Sequence, residues 1–118
     1  MTAYALAHLH NPNPHPEVIE YIERIQATLD PYEGTFLVHG ATVDVKEGTW
    51  PGTVVIISFP DLERANAWYD SPAYREILHL RTDNIDGSTI LVDGVAPGYD
   101  VRHTADALRA LAARAPAE

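Results

Sequence analysis

Apolar residues recur along this chain with a period that changes several times, and each change marks an element. Tyr4-Ala5-Leu6-Ala7-His8-Leu9-His10 reads as a strand, halted by the turn-forming Asn11-Pro12-Asn13-Pro14. Pro16 then suits the first turn of a helix. Glu17 and Glu20 sit where the positive end of the helix dipole favours acids, and Val18, Ile22, Ile25 and Leu29 form an apolar stripe. That helix must stop before Asp30-Pro31, because proline disfavours helical geometry in the residue preceding it. A second strand, Gly34 to Gly40, lies between glycines, and a third runs from Thr53 to Phe59. The third is apolar at successive positions, as a central strand covered on both faces should be. Lys46-Glu47-Gly48-Thr49-Trp50-Pro51-Gly52 joins them as a long hairpin loop.

Asp61 is a good N-cap for a helix from Leu62 to Tyr69, and Ser71-Pro72 supplies a fresh cap and first-turn proline for a segment reaching about Leu80. Ser88 to Val95 forms the fourth strand. The order β-α-β-β-α-β predicts an α+β fold of split, ferredoxin-like topology: an antiparallel sheet with both helices on one face. The other face is then bare, and Ile and Val exposed over several hundred Å² are an aggregation hazard unless a partner covers them. A homodimer is predicted. Residues 1–95 form this domain. Residues 96–118 make a linker, broken at Ala96-Pro97-Gly98, and an Ala-rich helix from Thr104 to Arg114 with Leu108 and Leu111 three apart.

With 118 residues and 46% apolar content, one compact core is expected. Seventeen acids against eight bases leave a formal charge of −9, which repels nucleic acid and anionic membrane surfaces alike. Neither is an expected partner. With no Cys, thiolate nucleophiles and thiolate metal sites are excluded. The longest apolar run, Thr53 to Phe59, falls far short of the ~20 residues of a spanning helix. The first residues lack the basic-then-apolar layout of a signal peptide, so cytoplasmic residence is the default expectation.

Three blocks carry a family resemblance. They are Tyr32-x-Gly34-x-Phe36-Leu37-Val38, Glu47-Gly48-x-Trp50, and Ala65-x-Ala67-Trp68-Tyr69-x-Ser71-Pro72-x-Tyr74, followed by Arg81. From Tyr4 to Val95 the chain resembles the bacterial domain-of-unknown-function family thirteen-thirty, within the dimeric α/β-barrel superfamily. The resemblance implies a ferredoxin-like protomer and a dimeric α/β barrel formed by sheet-to-sheet pairing. Where the family often carries arginine after the second strand's Leu-Val, this chain has His39, and Ala41 replaces a second family glycine.

Two constellations carry candidate chemistry. His8 and His10, two apart on one strand, leave the same face, and His39 lies on another strand of the sheet. Three imidazoles meeting one ion, with Glu47 as an oxygen donor, would suit zinc or iron. The plainer reading, half-buried or pocket-lining histidines, is preferred, and no metal is expected. The second constellation is Trp68, Tyr69, Ser71, Tyr74 and Arg81, with Trp50 from the hairpin. Aromatic bodies with polar tips suit a pocket for a planar, oxygenated ligand. Arg81 would grip a carboxylate or enolate, and a tyrosine hydroxyl would steady a developing oxyanion. Trp68 as plain core, Ser71 as a cap, and Arg81 bonding the helix end or Asp83 are the bland alternatives.

His39, Tyr74 and Arg81 are the candidate catalytic residues, with His39 as general acid or base. His8, His10, Trp50, Trp68, Tyr69 and Ser71 are candidate ligand contacts. No glycine-rich phosphate loop or dinucleotide fingerprint follows a strand, so no cofactor is expected. By analogy with its superfamily, the chain is read as a cofactor-independent isomerase, cyclase or oxygenase for a small aromatic or polyketide-like acid. The alternative is a non-catalytic ligand-binding or protein-interaction module. What separates the two is whether His39, Tyr74 and Arg81 converge on a cavity.

Overall fold

Proline and glycine set the element boundaries in the computed structural model, which describes residues 1–114. Strand β1 (Ala3–His10) leads to helix α1 (Pro16–Leu29), a short 3-10 turn (Asp30–Tyr32), β2 (Thr35–His39) and β3 (Thr53–Phe59). Helices α2 (Leu62–Tyr69) and α3 (Pro72–Thr82), strand β4 (Asp86–Asp93) and helix α4 (Val101–Arg114) follow. The sheet is ordered β2-β3-β1-β4 with every pairing antiparallel. With the chain order β-α-β-β-α-β, this is the ferredoxin-like fold.

Local chemistry explains each helix boundary. The His15 ring accepts from the Glu17 backbone N–H at 3.1 Å and caps α1 ahead of its Pro16. Asp61 caps α2 by accepting from the Arg64 N–H. The Ser71 hydroxyl accepts from the Tyr74 N–H and donates to the Trp68 carbonyl, so one buried side chain ends α2 and starts α3.

Three boundaries or faces differ from the sequence expectation. β4 begins at Asp86 and ends at Asp93, because Asp86 and Gly87 pair with His10 and Leu9 of β1. Ladder pairing outweighs their poor intrinsic strand preference. α4 begins at Val101, where Asp100 accepts from the Arg102 N–H and acts as the cap. On α1 the buried positions are Val18, Tyr21, Ile25, Thr28 and Leu29, while Ile22 is 47% exposed. Residues 21 and 22 straddle the edge of the stripe, and the Tyr21 hydroxyl is drawn inward by a buried hydrogen bond to Tyr74.

The core lies between α1, α2, α3 and one side of the sheet. Trp68, Tyr74, Phe59, Leu29 and Ile77 are its largest fully buried side chains. Trp68 donates its indole N–H to Thr28 at 3.0 Å, and Thr28 donates to the Ile25 carbonyl. Register assigns Ala5, Ala7, Val55, Ile57, Thr89 and Leu91 to this helix-facing side. Tyr4, Leu6, Val54, Ile56, Ile90 and Val92 leave the opposite side, which no helix among the described residues covers. β3 is therefore apolar on both faces although this chain covers only one. Ile90 is 54% and Val92 43% exposed there. α4 has no buried residue, and its Leu108 and Leu111 face solvent.

Candidate functional site

The helix-facing side of β1 and β3 does not pack fully against α1 and α3. A cavity of about 180 Å³ remains between them. Its floor is apolar, from Ala5, Ala7, Val55 and Ile57, and its walls include Ile25, Phe36 and Trp68. The polar side chains on the lining are Tyr21 of α1, Tyr74 and Arg81 of α3, His39 of β2, Thr53 of β3 and Thr89 of β4.

Arg81 occupies the last turn of α3 and is 7% exposed. Its guanidinium carbon lies 5.6 Å from the centre of the Tyr21 ring. The hydroxyls of Tyr21 and Tyr74 are 2.8 Å apart. Among the described residues no ion pair involves Arg81, so the alternative pairing with Asp83 is not formed. A charge withdrawn from water without a counter-ion is costly, so this guanidinium is an unpaired cation facing an apolar cavity. Burial pushes the Tyr21 phenol far above its ordinary value, with Tyr74 adding to the rise and Arg81 only partly opposing it. Burial also acts to lower Arg81, but the neighbouring phenols outweigh it and hold the guanidinium charged. The cavity thus carries a fixed positive charge beside neutral hydroxyl donors, the chemistry that receives an anionic oxygen.

His39 reaches this cavity through an irregularity in the β2–β3 ladder. Phe36 pairs with Ile57 and Val38 with Ile56, leaving Leu37 as an extra residue. In a regular strand Phe36 and His39, three apart, would leave opposite faces. The bulge returns both to the helix-facing side, where their rings stack with centroids 5.0 Å apart. His39 itself is exposed and lies at the rim.

The same register separates the three histidines that the sequence placed together. His8 and His10 leave the uncovered face and His39 the covered one, so the sheet stands between them. Among the described residues no group of three or more His, Asp or Glu is placed to hold a metal ion. His8 instead stacks on Trp50 with centroids 4.2 Å apart, and its Nε2 lies 2.6 Å from the Pro51 carbonyl oxygen. His10 sits against His8. His8 and Trp50 thus pin the long hairpin to the uncovered face, away from the cavity. Gly52 permits the crossing: its φ is +101°, and a Cβ there would overlap the Leu9 carbonyl oxygen. Ser71 is the α2–α3 cap. Tyr69 packs against Trp68 and Tyr74 and lies under the Arg75 guanidinium, so neither Ser71 nor Tyr69 lines the cavity.

Tyr21 and Thr28 were not singled out from the sequence. A signal was present, since Val18, Tyr21, Ile25 and Thr28 follow 3-4-3 spacing, which is also a helical stripe.

Two stability measurements follow. Replacing an unpaired buried charge by an apolar side chain of similar volume relieves its desolvation penalty, whereas removing a buried ion-pair partner is strongly destabilising. Arg81→Met should therefore leave unfolding free energy in urea unchanged or raise it, by up to about 3 kcal/mol; a loss of about 3 kcal/mol would show a structural pairing instead. Below pH 10.0, the ordinary phenol value, Tyr21 carries its proton both folded and unfolded. Above it only the unfolded chain releases the proton, so stability falls with a contribution approaching about 1.4 kcal/mol per pH unit. Tyr21→Phe should flatten that alkaline decline, and a decline parallel to wild type would contradict the assignment.

Comparisons with known proteins agree with this architecture. No curated protein matches the sequence. A protein of unknown function from Rhodopseudomonas palustris superposes with a TM-score of 0.56 at 16% identity, covering 81% of this chain and 84% of its own. SnoaB, a cofactor-independent oxygenase from Streptomyces nogalater, superposes with a TM-score of 0.50 at 14% identity, covering 84% and 96% respectively. At these identities the likeness is one of fold. No helix among the described residues is long and apolar enough to cross a membrane. The family model described as Domain of unknown function (DUF1330) matches residues 2–95, and the chain belongs to that family.

Proposed function

We propose that the cavity between the sheet and helices α1 and α3 binds a small organic acid, and that the chain acts on it without a cofactor. The observation that carries this reading is Arg81, buried beside two phenols, facing an apolar cavity and free of any carboxylate partner among the described residues. An incoming carboxylate or enolate would supply the missing counter-charge. Tyr74 and Tyr21 share one hydrogen bond, which occupies one phenol proton and leaves the other for the ligand oxygen.

His39 would move the proton. It sits at the rim, open to water, and imidazole exchanges protons near neutral pH. Taking a proton from carbon next to a carbonyl leaves an enolate whose oxygen charge Arg81 and the tyrosines stabilise. Reprotonation at another atom completes an isomerisation, attack on a second carbonyl completes a cyclisation, and electron transfer to dioxygen begins an oxygenation. The fold likeness to a cofactor-independent oxygenase supports this class by analogy alone. A binding module without turnover is the second reading. It is favoured by His39 standing exposed at the rim while Arg81 and the two tyrosines are buried.

The uncovered sheet face suggests the partner. Leu6, Ile56, Ile90 and Val92 form an apolar strip there, and a second copy presenting the same strip would bury both. We assign the homodimer to this face.

Two experiments check the proposal. Incubated in D₂O with an enolisable aryl acid such as phenylpyruvate, the protein should speed deuterium incorporation beside the carbonyl. His39→Gln should abolish that acceleration while phenylpyruvate still binds. Binding with no acceleration in the wild type would favour the non-catalytic module. Sedimentation at micromolar concentration should show a dimer, and Ile90→Lys a folded monomer; a folded wild-type monomer would overturn the interface.

A further inference from the structure

We infer that the ligand is a single-ring aromatic monocarboxylate, bound with its carboxylate inward. This deepens the proposed function and rests on Arg81 being the anion site. Size comes first. A dry apolar cavity of roughly 150 Å³ admits a benzene ring. The cavity here, about 180 Å³, matches a ring and its carboxyl group, and a fused second ring would have to extend past the open rim.

Shape and charge narrow the class further. Phe36, Trp68, Tyr21 and Tyr74 border the space, and aromatic walls favour a planar guest through offset and edge-on contacts. Arg81 is the one permanently charged group on the lining, so a single negative charge is neutralised, and a second would face Val55 and Ile57. Orientation follows from depth. Tyr74, Arg81 and Tyr21 are 1%, 7% and 8% exposed, whereas His39 and Gly40 lie open at the rim. The carboxylate therefore travels to the inner end, and the ring lies against the apolar floor of Ala5, Ala7, Val55 and Ile57.

Calorimetric titration of the full chain with four probes tests this: benzoate, benzamide, 2-naphthoate and phthalate. Benzoate should bind at least about tenfold more tightly than the other three, the scale on which a fitted pocket discriminates by size or by an unpaired polar group. Arg81→Met should abolish benzoate binding while retaining the wild-type circular dichroism spectrum. Naphthoate or phthalate binding as tightly as benzoate would overturn the single-ring monoanion class and leave the anion site standing. Benzamide binding as tightly as benzoate, or none of the four binding, would overturn both this class and the reading on which it rests.

Discussion

Withdrawing the Arg81 guanidinium from water costs several kcal/mol unless something of opposite charge meets it, and the fold supplies no carboxylate among the described residues. The surrounding chemistry makes sense as accommodation of that charge. The Tyr21 ring offers its face to the cation, the two phenols offer oxygen, and the end of α3 offers the negative pole of a helix dipole. These partly offset the penalty. What is left over is available to an anion, which converts a structural burden into binding energy for a ligand.

A second constraint is geometric. A sheet with helices on one side sorts its side chains by parity, so a one-residue change in pairing decides what meets what. The bulge at Leu37 sends His39 to the cavity side, and regular alternation in β1 sends His8 and His10 to the other. The two faces thereby acquire different work. The covered face holds the cavity and its single cation. The uncovered face holds an apolar strip at one end and the hairpin, pinned by Trp50 over His8, at the other.

Much of this was legible in the residues because the signals were local. Asn11-Pro12-Asn13-Pro14, Asp30-Pro31 and Ser71-Pro72 each stop or start an element for reasons confined to a few neighbouring atoms, and the topology followed from their order. The blocks at Tyr32, Glu47 and Ala65 to Tyr74 carried the family resemblance, and the family model matches residues 2–95. What was not legible depended on pairing between distant segments. The register of β2 on β3 decides the side that His39 takes, and nothing within Gly34 to Gly40 encodes it. Whether one of seventeen acids would reach Arg81 is equally a question of assembled geometry. Tyr21 was missed for a lesser reason: its ring is amphipathic, and Ile22 beside it is the stronger apolar signal.

Arg81 also explains why stability and function pull apart at this site. The buried cation has no ion-pair role in the fold among the described residues, so its use lies in what enters the cavity. The Arg81 side chain is directly observable. In ¹⁵N-arginine-labelled protein its Nε–H resonance, assigned by its loss in Arg81→Lys, should move and saturate at one equivalent as benzoate is added. A resonance that stays in place while benzoate saturates the protein would contradict the account.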